Sequence, residues 1–430
     1  MKTSILLTGS FLATILSGVP IAFLLGIVSF AYLFFIADVS LDIIASYLFS
    51  GLNDTAYTGL PFFILTGILM KKTRITDDFI AFADMLVGRL PGSLAQINIL
   101  VSILFAGISG AAVADTAAMG SILIPMMKKQ GYTAEYSAAI TTASSVLGPI
   151  IPPSAIMVVY GSITGVSIRT LFLAGIIPGL LIGAGLMIMA MFFAIKDKHP
   201  RRTEPFVLER ARHVIKRAGG GLLLTFIIFT GLLSGIFTAS EAAILACLYV
   251  LWMGILVLKT LTLRDIGNSI IEASVIASVI FLVIVCAHLF SLVLTSEGIP
   301  EKIAEFISWA AGNRYTFLLL VNVLLIFMGM VMESSAIVVV LAPILLPLAL
   351  NFGIHPIHFS LVMLVNANIG LITPPLGICL FTAAPLAKVS YERIAITTMP
   401  FIAMEIAALM LMTYFPDLIL FIPRTAGLTV

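Results

Sequence analysis

Two apolar segments, residues 107–161 and 329–383, constrain the fold of this chain more than any other feature. Each is long enough to enter a membrane, and each contains a run that no helix can pass, GPIIPP at 148–153 and ITPP at 372–375. Proline removes a backbone donor and disfavours the α conformation in the residue before it. Irregular backbone at membrane depth is tolerated only where it is buried in protein or lines a cavity. The breaks therefore indicate a binding site inside the membrane.

The two segments are predicted to be copies of one unit. A shift of 222 residues aligns them without a gap, and 11 of the 55 aligned positions are identical. Six of these identities are glycine or proline, among them Gly107 with Gly329 and Gly148 with Gly370. Apolar segments match by chance because they use few residue types, but chance does not readily align the residues that break helices. The chain is therefore predicted to contain an internal repeat.

The composition is typical of an all-α polytopic membrane protein. Of the 430 residues, 60% are hydrophobic and 10% are charged, whereas soluble domains have about 25% charged residues. A crossing helix needs about 20 apolar residues, and the chain holds roughly a dozen such stretches. The formal charge of +2 gives no indication of nucleic-acid binding. The isolated Cys247, Cys286 and Cys379 are predicted to be buried packing residues rather than disulfide partners.

We predict two repeats, residues 1–195 and 218–430, joined by a linker at 196–217. Each repeat is expected to hold scaffold crossings, an amphipathic helix in the membrane interface, a re-entrant helical hairpin and a broken transmembrane helix. The interfacial helices are expected at 74–89 and 299–312, the hairpins at 92–127 and 315–350, and the broken helices at 134–165 and 357–386. Further crossings are expected at 43–70, 169–195, 219–235, 239–258, 269–295 and 393–421. The stretch 4–36 fits either one crossing or two, and its similarity to the pair at 219–258 favours two.

The charges of equivalent loops predict that the repeats have inverted topology. Eight basic and three acidic residues give the linker a net charge of +5, which predicts a cytoplasmic location. Lys128 and Lys129 follow the first hairpin, but Leu350 and Asn351 follow the second. Five crossings in each repeat would also reverse the orientation of the second. The first hairpin is therefore expected to enter the membrane from the cytoplasm and the second from outside.

Several strings resemble the large membrane subunit of tripartite ATP-independent periplasmic (TRAP) transporters, and the resemblance runs through nearly the whole chain. The repeated segments carry it most specifically, with ISGAAVADTAAMGSILIP at 108–125 and GPIIPPSAIMVVY at 148–160. Further matching strings are GVPIAF at 18–23, FTASEAA at 237–243 and ITPPLGICLF at 372–381. The family often has serines just after the first tip glycine, where this chain has Ala111 and Ala112. Ser109 is then the nearest hydroxyl.

This resemblance implies a permease of the bacterial inner membrane that imports an organic acid with sodium and catalyses no reaction. It implies as partners a periplasmic substrate-binding protein, a small membrane subunit and membrane lipid. It also implies an elevator mechanism, in which a domain holding the hairpins and broken helices slides against a fixed scaffold. One sodium ion is expected between each hairpin tip and the facing broken helix. The overall resemblance favours sialic acid over a C4-dicarboxylate as the substrate.

Oxygen-bearing residues at the tips and breaks are the candidate ligands. Unwound carbonyls and helix C-termini suit a sodium ion, while helix N-termini attract a carboxylate. The predicted sodium-binding residues are Ser109, Asp115, Thr116, Ser144, Ser145, Gly148, Gly329, Glu333, Ser334, Asn366, Asn368, Gly370 and Thr373. The predicted substrate-binding residues are Ser109, Asp115, Pro149, Pro152, Ser154, Ser335 and Pro374. No cluster of soft ligands accompanies them, so sodium is the one metal expected.

Structural roles compete with these assignments. Serine and threonine often bond to their own helix, and small residues often serve close packing. Asp115 is the strongest candidate because an acid inside an apolar hairpin is costly, whereas Glu333 could simply cap the helix that follows it. Thr238 and Glu241 have the spacing of a capping box, so Glu241 is predicted to be structural. The histidines of HPIH at 355–358 lack acidic or cysteine partners, so metal binding is not predicted there.

Two other functions remain open from the residues alone. Broken helices also line channels, but paired hairpins with paired breaks favour a carrier, whose flux would saturate and require a sodium gradient. An intramembrane enzyme is disfavoured because neither H-E-x-x-H nor G-x-S-x-G occurs. A P-loop sequence is also absent, so active transport would have to use an ion gradient or another subunit.

Overall fold

The computed structural model describes residues 21–50, 58–73, 75–199, 208–298, 302, 305 and 311–428, and every regular element in these ranges is a helix. Helices α1–α6 are Ile21–Phe35, Leu41–Ser50, Leu60–Lys72, Ile75–Val87, Ser93–Ser109 and Ala112–Lys129. Helices α7–α12 are Ala134–Ser145, Ala155–Thr164, Ile168–Lys196, Leu208–Ser234, Ala239–Trp252 and Leu263–Ser296, with a π-helical turn at Met253–Val257 after α11. Helices α13–α18 are Arg314–Val331, Ser334–Asn351, Pro356–Gly370, Ile378–Ala387, Tyr391–Tyr414 and Asp417–Thr425.

The same order of elements occurs twice at the repeated segments. Helices α5 and α6 form a hairpin, and α7 and α8 form a broken helix after it; α13–α16 follow the same order. Their bounds lie close to those expected from the sequence. Gly110 ends α5 in the left-handed conformation, while Glu333 caps the start of α14. The prolines interrupt both broken helices, and the Pro152-Pro153 and Pro374-Pro375 bonds are both cis.

The hairpins and broken helices of the two predicted repeats pack into one core. The arm α6 packs against α7 of the first broken helix and against α16 of the second. Reciprocally, α14 packs against α15 and against α8. Buried apolar side chains such as Leu123, Leu147, Ile337 and Phe359 fill the space between them. The repeated segments therefore form a single packed unit, which brings both tips and both breaks into it.

The long helix α17 shows how the two hairpins are oriented. Its start lies beside the first hairpin, since Arg393 pairs with Glu135 at the beginning of α7 at 3.6 Å. Its end lies beside the second, since the Tyr414 ring is 6.1 Å from that of Tyr315 at the beginning of α13. A helix of 24 residues is about 36 Å long. The two hairpins thus start from opposite ends of the bundle.

The outer surface suits a membrane. Among the described residues, six helical stretches are long and apolar enough to cross one. On α12, Ile271, Val275 and Val279 are all more than half exposed and lie one turn apart on one face. Apolar side chains in water would be unfavourable in such numbers, so this face meets lipid or another membrane protein. The buried Cys247, Cys286 and Cys379 are free thiols, as predicted.

Several sequence-based boundaries are wrong. The predicted crossing 43–70 contains two helices, α2 and α3, and Pro61 lies in the first turn of α3, where proline is tolerated. The second part of the predicted linker 196–217 already belongs to α10. The predicted last crossing 393–421 divides at Phe415, because Pro416 disfavours the helical conformation in the residue before it.

The interfacial helix predicted at 74–89 corresponds to α4. The apolar residues along one side of this helix do not all share one environment. Ile75 and Phe79 are buried against Gly221 of α10, whereas Leu86 is exposed. Asp78 pairs with Arg217 at 2.9 Å, which ties α4 to the start of α10. Most of the second predicted interfacial helix, at 299–312, lies outside the described residues, as does 4–20 of the first apolar stretch.

Because the two hairpins start from opposite ends of the bundle, the side of the membrane from which each one enters can be tested. Gln130 and Asn351, which follow the two hairpins, are both exposed. In a cysteine-free background, we expect a membrane-impermeant thiol reagent to label Asn351→Cys but not Gln130→Cys in intact cells, because the basic pair beside Gln130 favours the cytoplasm. Labelling of both after permeabilisation is the control. Labelling of both in intact cells would contradict the inverted topology.

Candidate functional site

The first hairpin tip meets the first break through backbone and a carboxylate. A Cβ on Gly110 would lie 3.0 Å from the amide nitrogen of Ala155, the first residue of α8. Asp115, in the first turn of α6, is 1% exposed. Its carboxylate covers Gly148, since a Cβ on Gly148 would lie 2.0 Å from Asp115 Oδ2. A larger residue at position 148 would displace this carboxylate, so the glycine allows the acid to lie against the break.

A buried polar cluster lies beside this contact, between α5 and α7. Ser102 Oγ donates to Ser144 Oγ at 3.0 Å, and Ser144 Oγ donates to Asn98 Oδ1 at 3.2 Å. Asn98 Nδ2 donates to Thr141 Oγ1 at 2.7 Å. All four side chains are at most 1% exposed. The predicted ligand Ser144 is therefore bonded to the hairpin arm, through two residues that the sequence prediction omitted.

Thr116 and Ser145 lie against the broken helix of the other repeat. Thr116 Oγ1 donates to Ala112 O at 3.0 Å and Ser145 Oγ donates to Thr142 O at 2.7 Å, each within its own helix. Both hydroxyls also lie within hydrogen-bonding reach of the thiol of Cys379, in the first turn of α16. A donating hydroxyl keeps a lone pair. Both oxygens can therefore still accept a cation.

The second hairpin meets the second break where the backbones of two glycines, Gly329 and Gly370, lie in contact. A Cβ on Gly370 would lie 2.4 Å from Gly329 Cα, and one on Gly329 would lie 2.7 Å from Gly370 Cα. At the following helix start, Ser334 Oγ donates to Asn368 Oδ1 at 3.0 Å, with both side chains buried. Asn368 Nδ2 donates to Leu364 O at 2.7 Å. Four predicted sodium ligands are thus brought together at the second tip.

Asn366 faces away from this contact. Two residues along a helix correspond to a rotation of about 200°, so Asn366 and Asn368 lie on opposite faces of α15. Asn366 Nδ2 donates to Asn322 Oδ1 at 2.7 Å, and Asn322 Nδ2 donates to Thr413 Oγ1 at 3.0 Å. This buried network ties α15 to α13 and α17. The structure therefore places Asn366 away from the second tip and adds Asn322, which sequence reasoning missed.

Most of the other predicted residues have local partners. Glu333 is the exposed N-cap of α14 and accepts from the amide of Ser335 at 3.1 Å and from its hydroxyl. This geometry is that of a helix cap. Ser154 Oγ donates to Pro149 O at 2.7 Å, across the first break. Thr373 Oγ1 donates to a carbonyl in the last turn of α15 at 2.7 Å.

The paired prolines differ in their surroundings. Pro152 is buried and, with Arg169, lines a small cavity against α10. Pro374 is partly exposed, and the Tyr391 hydroxyl donates to the carbonyl of Pro375 at 2.8 Å. The structure thus encloses the first break more fully than the second. Ser109 is the last residue of α5, and its side chain is not among those described.

The two histidines predicted not to bind metal have structural partners. His355 Nδ1 accepts from the Ile357 amide at 3.2 Å and caps α15. Burial, and next the positive charge of Arg424, lower the pKa of His355, which favours the neutral ring that can accept this bond. His358 Nε2 lies 3.0 Å from the Met412 carbonyl. The Thr238–Glu241 capping box is present, which confirms that prediction.

Each tip–break contact therefore combines several kinds of oxygen in a buried place. The last carbonyls of α7 and α15 lie there and accept hydrogen bonds from the amides that follow them, which leaves each oxygen a second lone pair. The starts of α6, α8, α14 and α16 add the positive ends of helix dipoles. The first contact adds one carboxylate, that of Asp115, and the second adds the amide oxygen of Asn368. Such a set suits a hard monovalent cation at the carbonyls and a carboxylate at the helix starts.

The family comparison decides what kind of protein carries this arrangement. The sequence profile of the family described as "Tripartite ATP-independent periplasmic transporter, DctM component" matches residues 8–418. The chain belongs to the DctM family of TRAP transporters. The resemblance seen in the sequence is thereby confirmed.

Three relatives of the DctM family match over nearly their whole length. The C4-dicarboxylate TRAP transporter large permease protein DctM of Rhodobacter capsulatus is 32% identical, covering 99% of this chain and 100% of the relative. The sialic acid TRAP transporter large permease protein SiaM of Vibrio cholerae is 34% identical, covering 96% of each chain. The 2,3-diketo-L-gulonate TRAP transporter large permease protein YiaN of Escherichia coli is 30% identical.

Solved structures share the fold of this DctM-family chain. The YdaH transporter of Alcanivorax borkumensis superposes with a TM-score of 0.62 at 12% identity, covering 88% of this chain and 89% of that one. MtrF of Neisseria gonorrhoeae superposes with a TM-score of 0.58 at 14% identity. These likenesses confirm the all-α multi-pass membrane class. Family membership makes the chain a transporter permease of the inner membrane and not an enzyme.

Proposed function

We propose that this DctM-family permease imports an organic acid with sodium, and that a periplasmic binding protein hands the acid over. The observation that carries the proposal is the pairing of each hairpin tip with its own break. Asp115 lies against Gly148, and Ser334 bonds to Asn368, so each pair can enclose one sodium ion. Ions at these places would neutralise helix C-termini and hold both tips closed. The helix starts between them would then receive the substrate carboxylate.

We propose the substrate as a class, an organic acid, and sialic acid is the first acid to test in uptake experiments. The relatives' names cover C4-dicarboxylates, sialic acid, isethionate and 2,3-diketo-L-gulonate. All of these substrates carry an acid group. This chain is 30–35% identical to each of their permeases, so sequence identity does not favour one substrate over another. The shared requirement is an anion site at the helix starts. A C4-dicarboxylate is the alternative to sialic acid.

An elevator movement agrees with the way the helices group. The hairpins and broken helices pack on one another across the repeats, and α9 and α17 cover them. In a second group, α12 packs against α1 and α3, and α11 packs against α3; this group meets the first where α12 contacts α14 and α3 contacts α5. The first group would slide as a transport unit, and the second would stay fixed. The exposed apolar face of α12 would then remain available to lipid and to the small membrane subunit.

Reconstituted uptake tests this function. With an inward sodium gradient, proteoliposomes that hold the permease and the small membrane subunit should take up acid delivered by the binding protein. The permease alone should give only background uptake, because the described residues contain no soluble capture domain and the family is tripartite. Replacing sodium with potassium is the control for coupling. Full-rate uptake of free substrate by the permease alone would contradict the tripartite proposal.

A further inference from the structure

Glu405 is a buried acid that none of the contacts above uses. It lies on α17, nine residues before the helix ends at Tyr414, so it is about 14 Å from that end. The helix is long and apolar enough to cross the membrane. The side chain is 0% exposed, and neither Oε1 nor Oε2 has a hydrogen-bond partner among the described residues. An ionisable group at such depth is costly and is usually functional.

The residues of α17 next to Glu405 make apolar contacts with the neighbouring helices. The helix packs against α7, α9, α15 and α16. One turn before the acid, the Phe401 ring contacts Tyr136 of α7 and Phe193 of α9. Met404, the residue just before Glu405, packs its Sδ against Gly185 of α9. The acid is therefore enclosed within the unit that holds both tips and both breaks.

Charged and titratable groups on the helices around α17 lie toward the helix ends or have other partners. Glu135 of α7 pairs with Arg393, three turns before the acid. His358 of α15 contacts the Met412 carbonyl, two turns after it. The others on these helices are Tyr136, Arg169, Lys196 and Cys379, and on α17 itself Tyr391, Glu392 and Tyr414. Within the described ranges no ion pair includes Glu405.

The enclosure decides which form of the acid fits. An isolated carboxylate in a low-dielectric interior costs far more free energy than a neutral polar group of the same shape. The acid is therefore neutral in the packing seen here. Glutamine would fill the same space as a neutral group without the risk of a buried charge. A carboxyl differs from it in being able to release its proton.

We propose that Glu405 is a proton-exchange site of the transport unit. With α17 packed as observed, the side chain is the carboxylic acid. When this packing loosens and water enters, the O–H bond of the acid breaks, its proton passes to a water molecule, and the carboxylate keeps the electron pair. Repacking reverses the step, and the carboxylate takes a proton back from hydronium. The packed state is therefore favoured at low pH and weakened at high pH.

Infrared difference spectroscopy of the purified permease tests the protonated state without transport. The parent should show a carbonyl stretching band of a protonated carboxylic acid that shifts in D2O and disappears in Glu405→Gln. The matched control is Glu392→Gln, an exposed glutamate in the first turn of the same helix, which should keep the band. Identical spectra from the parent and Glu405→Gln would overturn the proposal, whether or not sodium-coupled uptake is found.

Uptake in the complete tripartite system tests exchange, and this step rests on the proposed function. Glu405→Gln keeps the neutral shape but cannot release a proton, so uptake should be roughly tenfold slower, as for one slowed step, and independent of pH. Glu405→Asp retains an exchangeable proton and should keep the pH dependence. If Glu405→Gln has the parent's rate and pH profile, the acid is only a packing residue and the proposal fails.

Discussion

Replacing Asp115 with asparagine should raise the sodium concentration needed for half-maximal uptake by more than about 100-fold. Removing one partner of a buried charge pair costs about 3 kcal/mol or more, and each 1.4 kcal/mol corresponds to about tenfold in affinity. Asparagine has the shape of aspartate, so the side chain can still lie against Gly148. The variant therefore removes the charge while keeping the packing. Sodium titration of uptake in proteoliposomes measures the effect.

The other predicted ligands provide the controls for this result. Thr373→Ala, at the second break, should raise the sodium requirement by a smaller factor, because the hydroxyl carries no charge and already bonds to its own helix. Asn366→Ala should act mainly on stability, because that side chain belongs to the Asn322 network. Substrate affinity at low sodium should fall with sodium affinity, because the coupling is reciprocal. Parental sodium dependence in a folded Asp115→Asn variant would refute the ion-site assignment.

Substituting Gly370 with alanine should destroy the second tip–break contact and abolish uptake. The added Cβ would lie 2.4 Å from Gly329 Cα, a distance that real Cβ atoms do not reach. The three nearest atoms all belong to the Gly329 backbone, so no side chain can rotate away and one helix must move. Overpacking of this kind typically costs about 1–3 kcal/mol and sometimes more. We expect a lower unfolding temperature in detergent together with loss of sodium-dependent uptake.

Gly267→Ala is the matched control for Gly370→Ala. Gly267 lies within α12 and has no positive φ, and a Cβ added to it would meet no atom of another described element within 4 Å. Alanine there should be neutral or stabilising by about 0.5–1 kcal/mol, because glycine is the poorer helix former. Wild-type stability and uptake for Gly370→Ala would show that the hairpin can leave the break without loss. The glycine crossing would then have no role in transport.

Many of the helices and their breaks could be predicted from short stretches of the sequence. Apolar runs of membrane length predict helices, and the positions of GPIIPP and ITPP predict where these helices break, since both effects act within a few residues. The aligned glycines and prolines also indicated which segments were equivalent. Boundaries were less reliable. The end of α17 at Tyr414 depends on one proline, Pro416, and the start of α10 overlaps a stretch that composition alone marks as a linker.

The sequence by itself therefore determined the membrane class, the two broken segments and the residue types that can bind a cation. Only the tertiary structure decided which of these residues meet. Asp115 lies on Gly148, while Asn366, two residues from Asn368, turns to Asn322 on another helix. Glu405 is enclosed because four other helices cover α17. The physical reason is that helix formation depends on near neighbours in sequence, whereas burial and ligand geometry depend on side chains tens to hundreds of positions apart.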